Sequence, residues 1–224
     1  MENILLRNTK EHINFWVGYT VEQPIVHEVC KFSLEEFEIN VMPVPGYVEK
    51  NTTNPFSRTR FTVPLIDDGY TDSDWVFFSD DDFIFFENPM SLIDSLDDSK
   101  VVYVCKHPRY TSKVSIKMDR QKQNNYMRKN WSSFMIFNKR KFPLSIKEIF
   151  AMNLKDLHQF IWCDENDIGE IPLEWNWLVG EYAEGNENVK GLHYTLGGPW
   201  YKVPYPSHYN QKWTDFKKIY DTCF

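Results

Sequence analysis

The sequence predicts an α/β fold with a mostly parallel central sheet flanked by helices, and three observations carry that expectation. Apolar strand-like runs alternate with helical stretches along the chain, the signature of strands connected by crossover helices. The run Asp74-Trp75-Val76-Phe77-Phe78-Ser79 is apolar on both faces, as a strand at the centre of such a sheet must be. No internal repeat, linker or low-complexity stretch interrupts the 224 residues, so residues 1–224 are expected to form one domain.

The elements follow in order. Residues 13–18 read as an opening strand broken at Gly18, and residues 20–37 as a helix with Pro24 in its first turn, where a missing N–H costs nothing. Residues 38–44 form a second strand, ended by the turn signal Pro43-Val44-Pro45-Gly46. A helix is expected over 56–66 and the central strand over 75–78. Then come a short helix at 91–96, a strand at 101–105, a buried strand at 132–137, and short helices at 146–152 and 154–161. Residues 206–224 carry Tyr209, Trp213, Phe216 and Tyr220 at helical spacing beside Lys212, Lys217 and Lys218. The expected reading is a C-terminal helix docked on the body of the protein; the alternative is peripheral contact with a membrane surface.

The central strand runs straight into Asp80-Asp81-Asp82 and then Phe83-Ile84-Phe85-Phe86. Aromatic residues on both sides pull the carboxylates to the rim of a core. If the chain stays extended, Asp80 and Asp82 point one way and Asp81 the other. Two convergent carboxylates at a strand end make a hard oxygen site for a divalent cation. A calcium loop of the EF-hand kind is excluded, because Ile84 stands where that loop places a ligand and no glycine follows it. Ligands of parallel sheets sit beyond the carboxyl ends of strands, where both Gly18 and Asp80 are expected.

Composition narrows the classes further. The net charge of −7 leaves no basic stripe for nucleic acid. Cys30, Cys105, Cys163 and Cys223 have no CxxC spacing, and no apolar signal segment opens the chain. Reduced thiols in a cytoplasm are therefore expected, without zinc. No apolar run reaches bilayer-spanning length. Asn51-Thr52-Thr53 and Asn130-Trp131-Ser132 match the glycosylation sequon, which has no consequence in a cytosolic protein. The high aromatic content is mostly core, with a minority suited to stacking on a sugar or base.

Five motifs in order then become familiar: Arg58-Thr59-Arg60-Phe61-Thr62-Val63-Pro64-Leu65, with the strand into Asp80-Asp81-Asp82; Trp131 to Asn138; Asp164-Glu165; Ile171 to Asn176; and Leu192-His193-Tyr194-Thr195 through Pro199-Trp200. Together they resemble, over residues 13 to 202, the arginine-bearing helix, Asp-x-Asp motif and His-to-Pro-Trp ending of glycosyltransferase family 8. The resemblance implies a GT-A (Rossmann-like) fold and transfer of a hexose from a UDP-sugar, UDP-glucose first and UDP-galactose next, with retention of anomeric configuration. It implies Mn²⁺, with Mg²⁺ as the alternative, held by Asp80, Asp82 and His193. The donor would lie against Val17, Gly18, Tyr19, Arg60, Asp80, Asp81, Gly197 and Lys202. Asp164 and Glu165 would act at the sugar, and the acceptor would be a saccharide or another hydroxyl.

Departures are also visible. Gly198 stands where the family has a phosphate-contacting lysine, for which Lys202 or Lys106 are the candidate substitutes. Glu165 replaces the family's glutamine, and Tyr19 its acidic residue after the first strand. Lys106, His107 and Arg109 follow a strand and read either as a solvated loop or as a cationic patch for acceptor or phosphates. Two other classes compete: a non-catalytic, metal-dependent carbohydrate-binding protein, and a metal-dependent nucleotidyl or phosphoryl transferase. The first leaves Arg60 and Asp164-Glu165 unexplained, and the second lacks a Walker loop with its lysine.

Overall fold

The structure is a computed structural model that describes residues 12–44, 46–47, 56–109, 111–117 and 125–223. The Asn51-Thr52-Thr53 sequon, Pro45 of the expected turn and Phe224 lie outside the described residues.

A six-stranded sheet forms the centre. Its strands are β1 (Asn14–Val17), β2 (Asn40–Pro43), β3 (Trp75–Ser79), β5 (Val102–Val104), β6 (Phe134–Asn138) and β7 (Ile168–Glu170), in the order β2-β1-β3-β6-β5-β7. All run the same way except β6, which pairs antiparallel with β3 and with β5. The sheet is therefore mostly parallel, as expected. The strands are apolar on both faces because both are covered. Phe15, Phe77 and Phe134 pack in the cluster on one side, and Val76, Phe78 and Phe137 in the cluster on the other.

A second, three-stranded sheet has the order β4-β9-β8, formed by β4 (Phe83–Phe85), β9 (Gly191–His193) and β8 (Trp177–Leu178). It follows directly from β3, because the chain bends at Asp81-Asp82 and starts β4 at once. The extended backbone expected across the triplet is thus replaced by a bend. Asp80 N–H still bonds Ser133 C=O at 2.8 Å, and Tyr194 N–H bonds Asp82 C=O at 2.9 Å, so both ends of the bend are tied to neighbouring strands.

Helix α1 (Pro24–Glu35) begins at Pro24 rather than Thr20, since a proline suits the first helical position and residues before it turn. The expected helix over 56–66 is a 3-10 helix, Thr59–Leu65, with Pro64 inside. Proline removes an N–H and clashes with a regular α-turn, which the tighter, shorter form tolerates. The helix expected at 91–96 is likewise 3-10, Pro89–Ser95, and the run expected as strand from Ser132 opens with a 3-10 turn at Trp131–Ser133. Helices α2 (Ile146–Ala151) and α3 (Leu154–His158) are capped by Ser145 and Asn153.

Helix α4 (Asn210–Cys223) lays its aromatic stripe against the second sheet and α1. Trp213 is buried, and Phe216 and Tyr220 meet the Phe32 ring edge-on. No helix among the described residues is long and apolar enough to cross a membrane. All four cysteines are free thiols.

Candidate active site

The parallel register of β1 and β3 aligns Val17 with Ser79, and Gly18 N–H bonds Ser79 C=O at 2.9 Å. Gly18 and Asp80 therefore emerge side by side at the carboxyl edge of the central sheet. A side chain at Gly18 would run into the Phe56 ring, so glycine is needed there for a close approach. The β4–β9 pairing sets Phe83 opposite His193, which carries the histidine to the same edge. Asp80, Asp82 and His193 each bring a ligand atom within 4.8 Å of the others. Asp81 is outside the cluster: it is buried on the other side of the bend, where Thr20 hydrogen-bonds its side chain and burial holds its pKa well up.

The imidazole of His193 is 2% exposed and stacked on Phe83 with centroids 4.5 Å apart. Its tautomer follows from a chain of bonds. Ser133 Oγ donates to Asn130 C=O at 2.6 Å, so it accepts the 2.8 Å bond from Asn176 Nδ2. Asn176 therefore turns Oδ1 toward His193 Nδ1, at 2.9 Å, and that nitrogen must carry the hydrogen. Nε2 is left with its lone pair facing Asp82 Oδ1 at 3.4 Å, and that oxygen, though buried, has no hydrogen bond among the described residues. A lone pair confronting a carboxylate calls for a positive charge between them, a metal ion or, without one, a proton on Nε2. The donor set, two carboxylates and one imidazole, suits Mn²⁺ and Mg²⁺ better than a soft metal, with the nitrogen weighing toward Mn²⁺. The residues thus fit a divalent ion.

The electrostatics agree. Burial raises Asp80 to a pKa of about 6, against the opposing charge of Arg60. Burial also acts on Asp82, but with a proton on His193 Nε2 in the metal's place the charge and hydrogen bond of that ring outweigh it and the pKa falls. Arg60 Nη1 lies 2.7 Å from Asp80 Oδ1 and donates to Ser132 C=O at 2.8 Å. The guanidinium sits over the rings of Phe56 and Phe78, at 5.2 Å and 5.1 Å. Its planar fork fixes one carboxylate while touching backbone and two aromatic faces, which a lysine could not do.

The remaining expected residues are placed as follows. Val17 is buried in β1, and Tyr19 sets its ring edge-on to His27, whose Nδ1 donates to Gly18 C=O at 2.7 Å. Gly197 adopts φ of 100°, with its N–H on Tyr194 C=O at 2.7 Å. Lys202 is exposed, and the lysine charge acting on Asp80 and Asp82 is that of Lys117 instead, a residue the sequence reading passed over. Glu165 is exposed, ion-paired with Arg128 and 3.6 Å from Lys106, and it lines a cavity of about 330 Å³ with His107, Tyr126 and Trp131. Asp164 is exposed and does not line that cavity. Asn176 was legible only as the end of the Ile171–Asn176 motif, because an amide between two tryptophans carries no signal of a histidine partner.

No family model matches the chain. Protein CDI of Arabidopsis thaliana is 29% identical over 237 residues, covering 95% of this chain and 88% of that protein. Among solved structures, an active-site mutant of LgtC superposes with a TM-score of 0.58 at 11% identity, over 92% of this chain and 96% of that one. The galactosyltransferase LgtC in complex with donor and acceptor sugar analogs gives 0.57 at 10% identity, over the same shares of the two chains. A glycosyltransferase involved in glycosylation of the major capsid of PBCV-1 gives 0.56 at 12% identity, over 94% of this chain and 99% of that one. The chain has the GT-A fold of these glycosyltransferases, and the family resemblance read from its motifs stands.

Proposed function

We propose that the protein is a metal-dependent glycosyltransferase that moves a hexose from a UDP-sugar, UDP-glucose first, to a hydroxyl acceptor with retention of configuration. The observation that carries this reading is the Asp80, Asp82 and His193 cluster, with its Asn176-fixed tautomer, at the carboxyl edge of a GT-A sheet. A nucleotide suits the place beside it because ligands of such sheets lie beyond the carboxyl ends of the strands, where Gly18 and Asp80 emerge together.

When bound, the divalent ion offsets the negative charge that grows on the leaving diphosphate. Arg60 keeps Asp80 ionised and aimed; Asn176 keeps a proton off His193 Nε2; Lys117 adds positive charge on the same side. On the sugar side, Glu165 is the group we assign to stabilising the ring as it becomes cationic, and Asp164 to holding hydroxyls. Glu165 reaches the cavity wall, which supports its assignment, and its pairing with Arg128 means that the arginine must be drawn away for the carboxylate to act. The donor contacts read from Val17, Tyr19, Asp81, Gly197 and Lys202 belong to the same proposal, as does a cytoplasmic location with reduced thiols.

Isothermal titration with UDP, with and without Mn²⁺, tests the reading. UDP is expected to bind at least about tenfold more tightly with the ion, and UDP-glucose to be hydrolysed slowly without acceptor. UDP affinity unchanged by EDTA would overturn it.

A further inference from the structure

Arg128, Arg109 and Lys129 line the same cavity as Glu165, in a chain whose net charge is −7. One carboxylate thus faces three cations at the cavity wall, and Lys106 approaches it as well, 3.6 Å from Glu165. The floor is Trp131, with Arg128 5.3 Å and Lys106 5.9 Å from its ring. Lys129 is 8% exposed, and burial together with the neighbouring charge of Lys117 lowers its pKa against the opposing charge of Glu181. An anion between such groups relieves both costs.

A second, independent feature points the same way. His107 lines the cavity at 5% exposure, and its Nε2 has no hydrogen-bond partner among the described residues. Its Nδ1 meets Tyr182 Oη at 2.6 Å. Burial raises the Tyr182 hydroxyl far above its ordinary range, so it stays protonated and can donate to Nδ1. The histidine is then the Nε2–H tautomer and holds a buried donor in reserve. A buried donor without an acceptor leaves its desolvation uncompensated, and an anionic oxygen supplied by a ligand removes that cost.

The cavity adjoins the metal cluster. Trp131 Nε1–H bonds His107 C=O at 3.2 Å, and the next two residues, Ser132 and Ser133, brace Arg60 and Asn176. We propose that this cavity receives an anionic group, a phosphate monoester or a carboxylate, carried by the acceptor. The proposal rests on the transferase reading above and names the class of its acceptor. The cations that hold Glu165 in the free protein become the ligands of that group, and its arrival exchanges Arg128 from Glu165 to the acceptor. That exchange frees the carboxylate when an acceptor is present.

The test is calorimetric titration with glucose 6-phosphate and with glucose, both in the presence of Mn²⁺ and UDP. The sugar phosphate is expected to bind at least about tenfold more tightly than glucose. Arg109→Ala, at an exposed loop position, is expected to remove most of that preference, and Glu165→Gln, which deletes the carboxylate of the cavity wall, to increase it. Equal binding of the two sugars, or a preference untouched by both substitutions, would overturn the proposal. UDP and Mn²⁺ binding is measured separately on the same variants. Unchanged UDP affinity in Arg109→Ala supports an acceptor role, whereas a parallel loss assigns the cations to the donor's diphosphate and overturns it. Comparison of UDP-glucuronate with UDP-glucose covers the remaining source: a preference for the uronate that Arg109→Ala abolishes would place the anion on the donor sugar, against the proposal. Failure of UDP to need metal sinks the transferase reading alone, and is read independently of the sugar-phosphate arm.

Discussion

Asn176→Ala is expected to weaken Mn²⁺ binding without removing a ligand. Asn176 is fully buried, and its Oδ1 is the acceptor that holds hydrogen on Nδ1 of His193. Without it, that N–H would be buried and unpaired, at a cost of about 1–3 kcal/mol. The ring escapes by moving the proton to Nε2, where Asp82 Oδ1 at 3.4 Å receives it. The proton then sits on the atom that should carry the lone pair, and metal binding must reverse the shift. The same 1–3 kcal/mol corresponds to about a 5- to 150-fold loss of affinity, in line with the usual effect of removing a histidine's outer partner. Asn176→Asp keeps an acceptor at the position and is expected to retain most of the affinity. Calorimetric Mn²⁺ titration of both variants, with folding checked by circular dichroism, measures the effect. A folded Asn176→Ala protein with wild-type affinity would refute the tautomer reasoning; equal losses in the two variants would trace the effect to the lost bond from Asn176 Nδ2 to Ser133 Oγ instead.

Asp80→Ala and Asp82→Ala are expected to abolish Mn²⁺-dependent UDP binding, whereas Asp81→Asn, on the far side of the bend, leaves the metal affinity within about threefold; titration of the three proteins decides. Arg60→Ala leaves Asp80 without its buried partner and opens a gap between Phe56 and Phe78, so a loss of about 3–5 kcal/mol in urea denaturation is expected, with only partial recovery in Arg60→Lys. At the opposite edge of the sheet, burial opposes the charge of Asp68, but bonds from the backbone of Thr71 and Tyr70 and the side chains of Thr71 and Asn14 outweigh it and hold its pKa at about 2. A folded-state pKa below the unfolded one contributes stability above about pH 4 that is lost as the pH falls toward 2. The Tm difference between wild type and Asp68→Asn is therefore expected to be constant above pH 4 and to shrink between 4 and 2; a difference that does not change with pH would assign the effect to hydrogen bonding alone.

The long strands were legible because burial on both faces confines polar residues to their ends. Phe15 to Val17, Trp75 to Phe78 and Phe134 to Phe137 are continuous apolar runs, and only a covered sheet explains such runs flanked by turns. Of the short strands only Val102–Val104 was. Phe83–Phe85, Ile168–Glu170 and Gly191–His193 are three residues each, too few to display a period of two. The reversed direction of β6 was equally hidden, since an apolar run has the same composition read either way. The Thr59–Leu65 segment shows the limit of periodicity, because over seven residues a 3-10 and an α-helix bury nearly the same positions and only Pro64 distinguishes them.

The candidate site divides along a physical line. The pairing of Asp80 with Asp82 was readable because it depends on neighbours, and it survives the bend because both ends of the bend are tied to strands. Asn176 was not readable, since its partners stand 43 and 17 residues away and nothing local marks an amide that fixes a tautomer. The cationic cavity was half readable. Lys106, His107 and Arg109 announce a patch after β5, but Arg128, Lys129 and Trp131 reach it from a distant segment, and a net charge of −7 points away from any anion. Net charge is a sum over the whole surface, and it sets long-range attraction and solubility. Binding is decided over the few ångströms in which water is excluded and screening fails, where three cations against one carboxylate outweigh an acidic exterior.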